Sequence, residues 1–104
     1  MREQEYITIW KSNFLKIPSH VYNRYIYPDE AVVLKYSTNT DEMGLEPSTM
    51  EHENSFSIQV SNDFRIKCRT YLEEFNLTVE ERTHHPITEK GDTIWVDMSS
   101  DIDL

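Results

Sequence analysis

The chain has 104 residues, 38% hydrophobic and 12% aromatic, with two glycines and a net charge of −9. That length fits one domain, or two half-domains sharing one core, and the aromatic content excludes a disordered chain. So negative a chain is repelled by phosphate at long range, which disfavours indiscriminate nucleic-acid binding while permitting a local basic face.

Taken in order, Ile7 and Ile9 alternate with polar or amphipathic neighbours, as do Leu15 and Ile17 beyond the Lys11-Ser12-Asn13 turn. Period-two alternation of this kind predicts two half-buried strands. Pro18 cannot donate to a strand ladder and suits the start of a helix. Val21, Tyr22, Tyr25 and Ile26 then fall on one helical face, and the helix stops before Pro28. Asp29-Glu30 leads into an apolar third strand, Ala31 to Tyr36, expected to be covered on both faces. A polar hairpin loop, 37–42, and a fourth strand, Met43 to Pro47, complete the unit, and 49–55 reads as a linker.

The same order returns. Phe56, Ile58 and Val60 predict a strand, Ser61-Asn62-Asp63 a turn, Phe64 and Ile66 a strand, and Arg69 to Phe75 a helix. Leu77 to Glu81 is expected as the third strand, 82–92 as a long loop, Thr93 to Met98 as the fourth strand, and 100–104 as a frayed acidic tail. At an offset of 49, Ile9, Ser12, Asn13, Ile17 and Tyr22 meet Ile58, Ser61, Asn62, Ile66 and Tyr71, while Lys16 meets Arg65. At an offset of 51, Leu45-Glu46 meets Val96-Asp97. The expectation is therefore one compact domain built from two ββαββ repeats, about 6–48 and 56–99.

Residues Trp10 to Pro18, then Asp29 to Leu34, then Met43-Gly44-Leu45-Glu46-Pro47 carry a resemblance to the AbrB/MazE-like (SpoVT–AbrB) swapped-hairpin family. The marks are a polar turn, an Ile-Pro strand end and a closing Leu-Glu-Pro strand. In the second unit Lys67 and Met98 stand at the two proline positions, and the hairpin loop is longer. The resemblance implies a mostly β fold with two short helices, a swapped-hairpin-like barrel in which two repeats form a pseudo-dimer. The chain is then a monomeric pseudo-dimer or a homodimer.

In that family the first-hairpin turn and the strand after it face DNA. The matching positions are Lys11, Ser12, Asn13 and Lys16, joined through the repeat by Ser61, Asn62 and Arg65, with Lys67 and Arg69 following. Lysine and arginine contact phosphates, and asparagine and arginine also read base edges. The bland alternative is a solvated strand face with snorkelling lysines. Trp10 and Trp95 are candidate anchors for a protein partner, or caps on the barrel core. Cys68 is the only cysteine and reads as a small buried apolar residue. The four histidines lack ligand spacing, and no phosphate loop or nucleophile elbow occurs, so no metal, cofactor or enzymatic activity is expected. The start carries no secretory stretch and no apolar run spans a bilayer, so a cytoplasmic location without a membrane partner is expected. The leading expectation is a small AbrB-like transcription regulator binding double-stranded DNA through paired turns. The alternative is a non-enzymatic interaction module for a protein partner: antitoxin-like, inhibitory or an acidic DNA mimic.

Overall fold

The computed structural model describes residues 5–102, with the side chain of Asn62 left aside. Eight strands and two α-helices alternate as β1 (Tyr6–Ile9), β2 (Phe14–Lys16), α1 (Ser19–Tyr25), β3 (Ala31–Ser37), β4 (Glu42–Ser48), β5 (Ser55–Gln59), β6 (Arg65–Lys67), α2 (Arg69–Glu74), β7 (Thr83–Lys90) and β8 (Thr93–Asp97). A single 3₁₀ turn, Val60–Asn62, joins β5 to β6. The element order is a repeated ββαββ. Neighbouring strands are antiparallel throughout and close into a barrel in the order β1-β2-β6-β5-β3-β4-β8-β7. No helix among the described residues is long and apolar enough to cross a membrane.

Exchanging each strand of the first unit for its counterpart in the second leaves that cyclic order unchanged, so the barrel has a topological two-fold. The register places its axis. Lys16 faces Arg65 across β2 and β6, 49 positions further along the chain. Gly44 faces Trp95 across β4 and β8, 51 positions further. These are the offsets that align the two repeats in sequence. A residue paired with its own counterpart lies on the axis, which therefore pierces the β2/β6 wall and the opposite β4/β8 wall.

Alternation fills the barrel as expected. Ile7, Ile9, Leu15, Ile17, Met43, Leu45, Ile66 and Val96 are all fully buried; α1 adds Val21 and Tyr22, Ile26 just beyond it joins them, and α2 adds Leu72. Cys68 belongs to it, and burial pushes its thiol up to about 12, so it is inert at neutral pH. β3 has both faces covered only near its start: Ala31 and Val32 are buried, Val33 is half-buried and Lys35 is exposed.

The second repeat departs from expectation at its third strand. Residues 77–81 form no strand, and the predicted loop at 82–92 is largely β7. The cause is the end of α2. Asn76 adopts a left-handed conformation (φ 56°). Its N–H donates to the carbonyl of Glu73, and the N–H of Leu77 to that of Leu72. This is a Schellman stop with asparagine in the αL place, and it packs Leu77 onto the helix it terminates. The strand begins only afterwards, and β7 tolerates Pro86 because that residue faces Tyr6 at the very end of the β1 pairing. Of the predicted tail, 100–104, the last two residues lie outside the described residues, and the part described is tied to β7. Ile102 N–H donates to the carbonyl of His84, and Asp101 Oδ1 accepts from the His84 N–H.

Candidate nucleic-acid interface

The two hairpin turns, 49 residues apart in sequence, are brought together by the β2/β6 pairing. Phe14 lies opposite Lys67 and Lys16 opposite Arg65. These four residues alternate with buried Leu15 and Ile66 and so share the outer face.

The first turn is built by its backbone. Asn13 N–H donates to the carbonyl of Trp10 and Trp10 N–H to that of Phe14. Asn13 itself is left-handed (φ 65°), a conformation asparagine tolerates better than most residues. That position explains the asparagine by itself, and the turn leaves Lys11 and Ser12 exposed. In the second turn Asp63 (φ 58°) and Phe64 (φ 56°) are both left-handed, so the acid there also answers a backbone demand. Ser61 is exposed beside it.

Aromatic rings and cations interleave across this wall. The Arg65 guanidinium lies 4.2 Å from the Phe14 ring centroid. Phe14 stacks on Trp10 at 5.7 Å, and Arg82 covers Trp10 at 5.0 Å. Among the described residues, Arg24, Lys35, Arg69 and Lys90 each have a carboxylate partner: Glu5, Glu46, Glu73 and Glu42. Lys11, Lys16, Arg65, Lys67 and Arg82 have none among the described residues, and all five lie along this aromatic row or beside it. Two donors in the row, Trp10 Nε1 and Arg65 Nε, are buried with no acceptor. A buried donor without an acceptor is costly.

Of the sequence-predicted residues, Lys11, Ser12, Lys16, Arg65 and Lys67 are therefore gathered on one wall. Arg69 is drawn off into the first turn of α2, where it pairs with Glu73 at 3.3 Å. Trp95 is on the opposite wall, its ring 3.1 Å from where a Gly44 Cβ would sit, so the two tryptophans share no surface. Sequence reasoning missed Arg82, Phe14 and His84. Arg82 and His84 reach the site only because β7 pairs with β1, and the sole signal in the sequence was a short Thr-His-His-Pro-Ile run that reads poorly as a strand. No group of three metal-ligating side chains converges among the described residues.

Around the corner from β2, a cleft of about 370 Å³ opens between β1, β7 and the start of α1. It is lined by Tyr6, Thr8, Trp10, Lys16, Asp63, Phe64, Arg82 and His84, among others. His84 Nδ1 and Thr8 Oγ1 share a 2.9 Å hydrogen bond. Burial first, and the Arg82 cation second, hold the His84 imidazole below its ordinary pKa.

Comparison with protein-family models, curated proteins and solved structures finds no match to this chain.

Proposed function

We propose that this protein binds double-stranded DNA through the outer face of the β2/β6 wall and acts as a small transcription regulator. One observation carries the reading. In a chain of net charge −9, the basic side chains free of carboxylate partners among the described residues collect on one wall, and the others are neutralised. An acidic body with a single unneutralised basic wall is held off phosphate except in one orientation. In this reading Lys11, Lys16 and Lys67 serve phosphates, and Arg65, on the axis, serves either a phosphate or a base edge. The resemblance to the AbrB/MazE-like family supports the same face, and within this reading the protein is a relative of that family with both repeats in one chain.

Fluorescence anisotropy on genomic duplex fragments at low and moderate salt tests the proposal. Affinity should fall by roughly 0.9 log units per log unit of salt for each phosphate neutralised. Lys16→Glu and Arg65→Glu should each weaken binding about tenfold and flatten that slope by roughly one unit. Lys35→Glu changes the net charge equally but lies on the far wall, opposite Gly44, and should leave affinity nearly unchanged. Absence of duplex binding at low salt removes the reading. Equal losses in all three variants reduce it to net charge alone.

A further inference from the structure

The cleft between β1, β7 and α1 holds groups to which duplex binding gives no role, Tyr6, Thr8, Phe64 and His84 among them. Its volume, about 370 Å³, is that of a small-ligand site rather than a surface dimple. Aromatic carbon from Tyr6, Trp10 and Phe64 lines it, and two cations without carboxylate partners among the described residues, Lys16 and Arg82, stand on its walls. Planar apolar walls with two free cations select a planar ring that carries an anion. Thr8 and His84 add a hydrogen-bonding pair, and the exposed Asp63 carboxylate adds an acceptor. Asp63 opposes a phosphate placed near it but accepts from an exocyclic amine of a base.

We propose that this cleft binds a nucleotide, with the base against Tyr6, Trp10 and Phe64 and the phosphate between Lys16 and Arg82. Arg82 covers Trp10 in the unliganded protein. It is exposed and free to follow an incoming phosphate. The same chemistry is offered by a free mononucleotide and by an unpaired nucleotide within a strand. The inference rests on the cleft and is tested apart from duplex binding, although Trp10, Lys16 and Arg82 border both surfaces.

The two tryptophans give the test its readout, since Trp10 lies in the cleft and Trp95 on another wall. The indole N–H resonances of the full-length ¹⁵N-labelled protein are followed during titration with 5′-AMP, 5′-GMP, 5′-CMP and 5′-UMP, with a six-nucleotide single strand, and with inorganic phosphate. The expected result is a saturable shift of Trp10 with at least one nucleotide or with the strand, little response to phosphate, and an unmoved Trp95. Lys16→Met and Arg82→Met should each raise the apparent Kd about tenfold, whereas Lys90→Met, on a distant lysine, leaves it unchanged. Thermal melts confirm that each variant is folded. Tighter binding of the strand than of any mononucleotide identifies an unpaired nucleotide as the occupant, and equal binding identifies a free effector. The proposal is overturned if Trp10 stays still throughout, if phosphate alone reproduces the shift, or if both tryptophans move together. Duplex anisotropy on the same samples separates the two readings: nucleotide shifts without duplex binding keep the cleft and sink the regulator, and the reverse sinks the cleft.

Discussion

Gly44 sits where a strand passes too close to its neighbours for any side chain. A Cβ there would meet Thr93 Cγ2 at 2.9 Å and the Trp95 ring at 3.1 Å. Both contacts are with side chains of β8, so the Thr93 methyl and the Trp95 ring would have to give way. Gly44→Ala should destabilise the barrel by about 1–3 kcal/mol, lowering Tm by roughly 4–8 °C per kcal/mol in a chain of this size. Differential scanning calorimetry checks it, and an unchanged Tm would mean that β8 shifts freely. His84 supplies a pH dependence at the same scale. Its folded pKa lies below the ordinary 6.5 because of burial, with Arg82 adding to the effect. Below 6.5 the unfolded chain takes up a proton that the folded chain refuses, so this stability is complete above that pH and fades as pH falls through the lowered value. In melts at pH 7.5 and 5, His84→Gln should therefore lose less Tm on acidification than the parent protein. An equal loss would place the pH sensitivity elsewhere.

At the scale of elements, what could be read from the residues depended on whether local signals agreed. In the first repeat, alternation, the turn at Lys11-Ser12-Asn13 and Pro18 all point the same way, and β1, β2 and α1 fall where they predict. In the second repeat the signals conflict. Leu77-Thr78-Val79 has strand composition, but Asn76 in the αL position bends the backbone into a helix stop and commits Leu77 to α2. β7 then forms from residues with weak strand character, because pairing of its first half with β1 and of its second half with β8 outweighs local preference. The basic residues of the candidate wall could be picked out by counting charges along the two turns. That Arg69 would be spent on Glu73 was legible as an i,i+4 pair within the predicted helix, whereas Arg82 completing the row over Trp10 depended on contacts far apart in sequence, such as the Thr8–His84 bond between residues 76 positions apart. The cleft was invisible for the same reason. Its walls come from β1, the start of α1, the second turn and β7, and no single segment contains its pattern.

At the scale of the molecule, four of the eight strand pairings join one repeat to the other: β2 to β6, β5 to β3, β4 to β8, and β7 to β1. Neither repeat has a sheet of its own beyond two hairpins, and isolated hairpins are at best marginal in water. The fragments 1–50 and 51–104 should each be unfolded alone by circular dichroism and should regain the native spectrum only when mixed. A folded fragment on its own would contradict the shared core.

The segment between β4 and β5, residues 49–54, gains a meaning from this architecture. It is a short tether that holds the two repeats at an effective concentration of about millimolar or above. Separate chains would need every contact between them to survive dilution, and would have to carry each change twice. Joined, the two repeats tolerate a weakened contact on either side and are free to grow unlike each other. The first turn can therefore keep an exposed lysine while the second carries Asp63, and the barrel still closes around both.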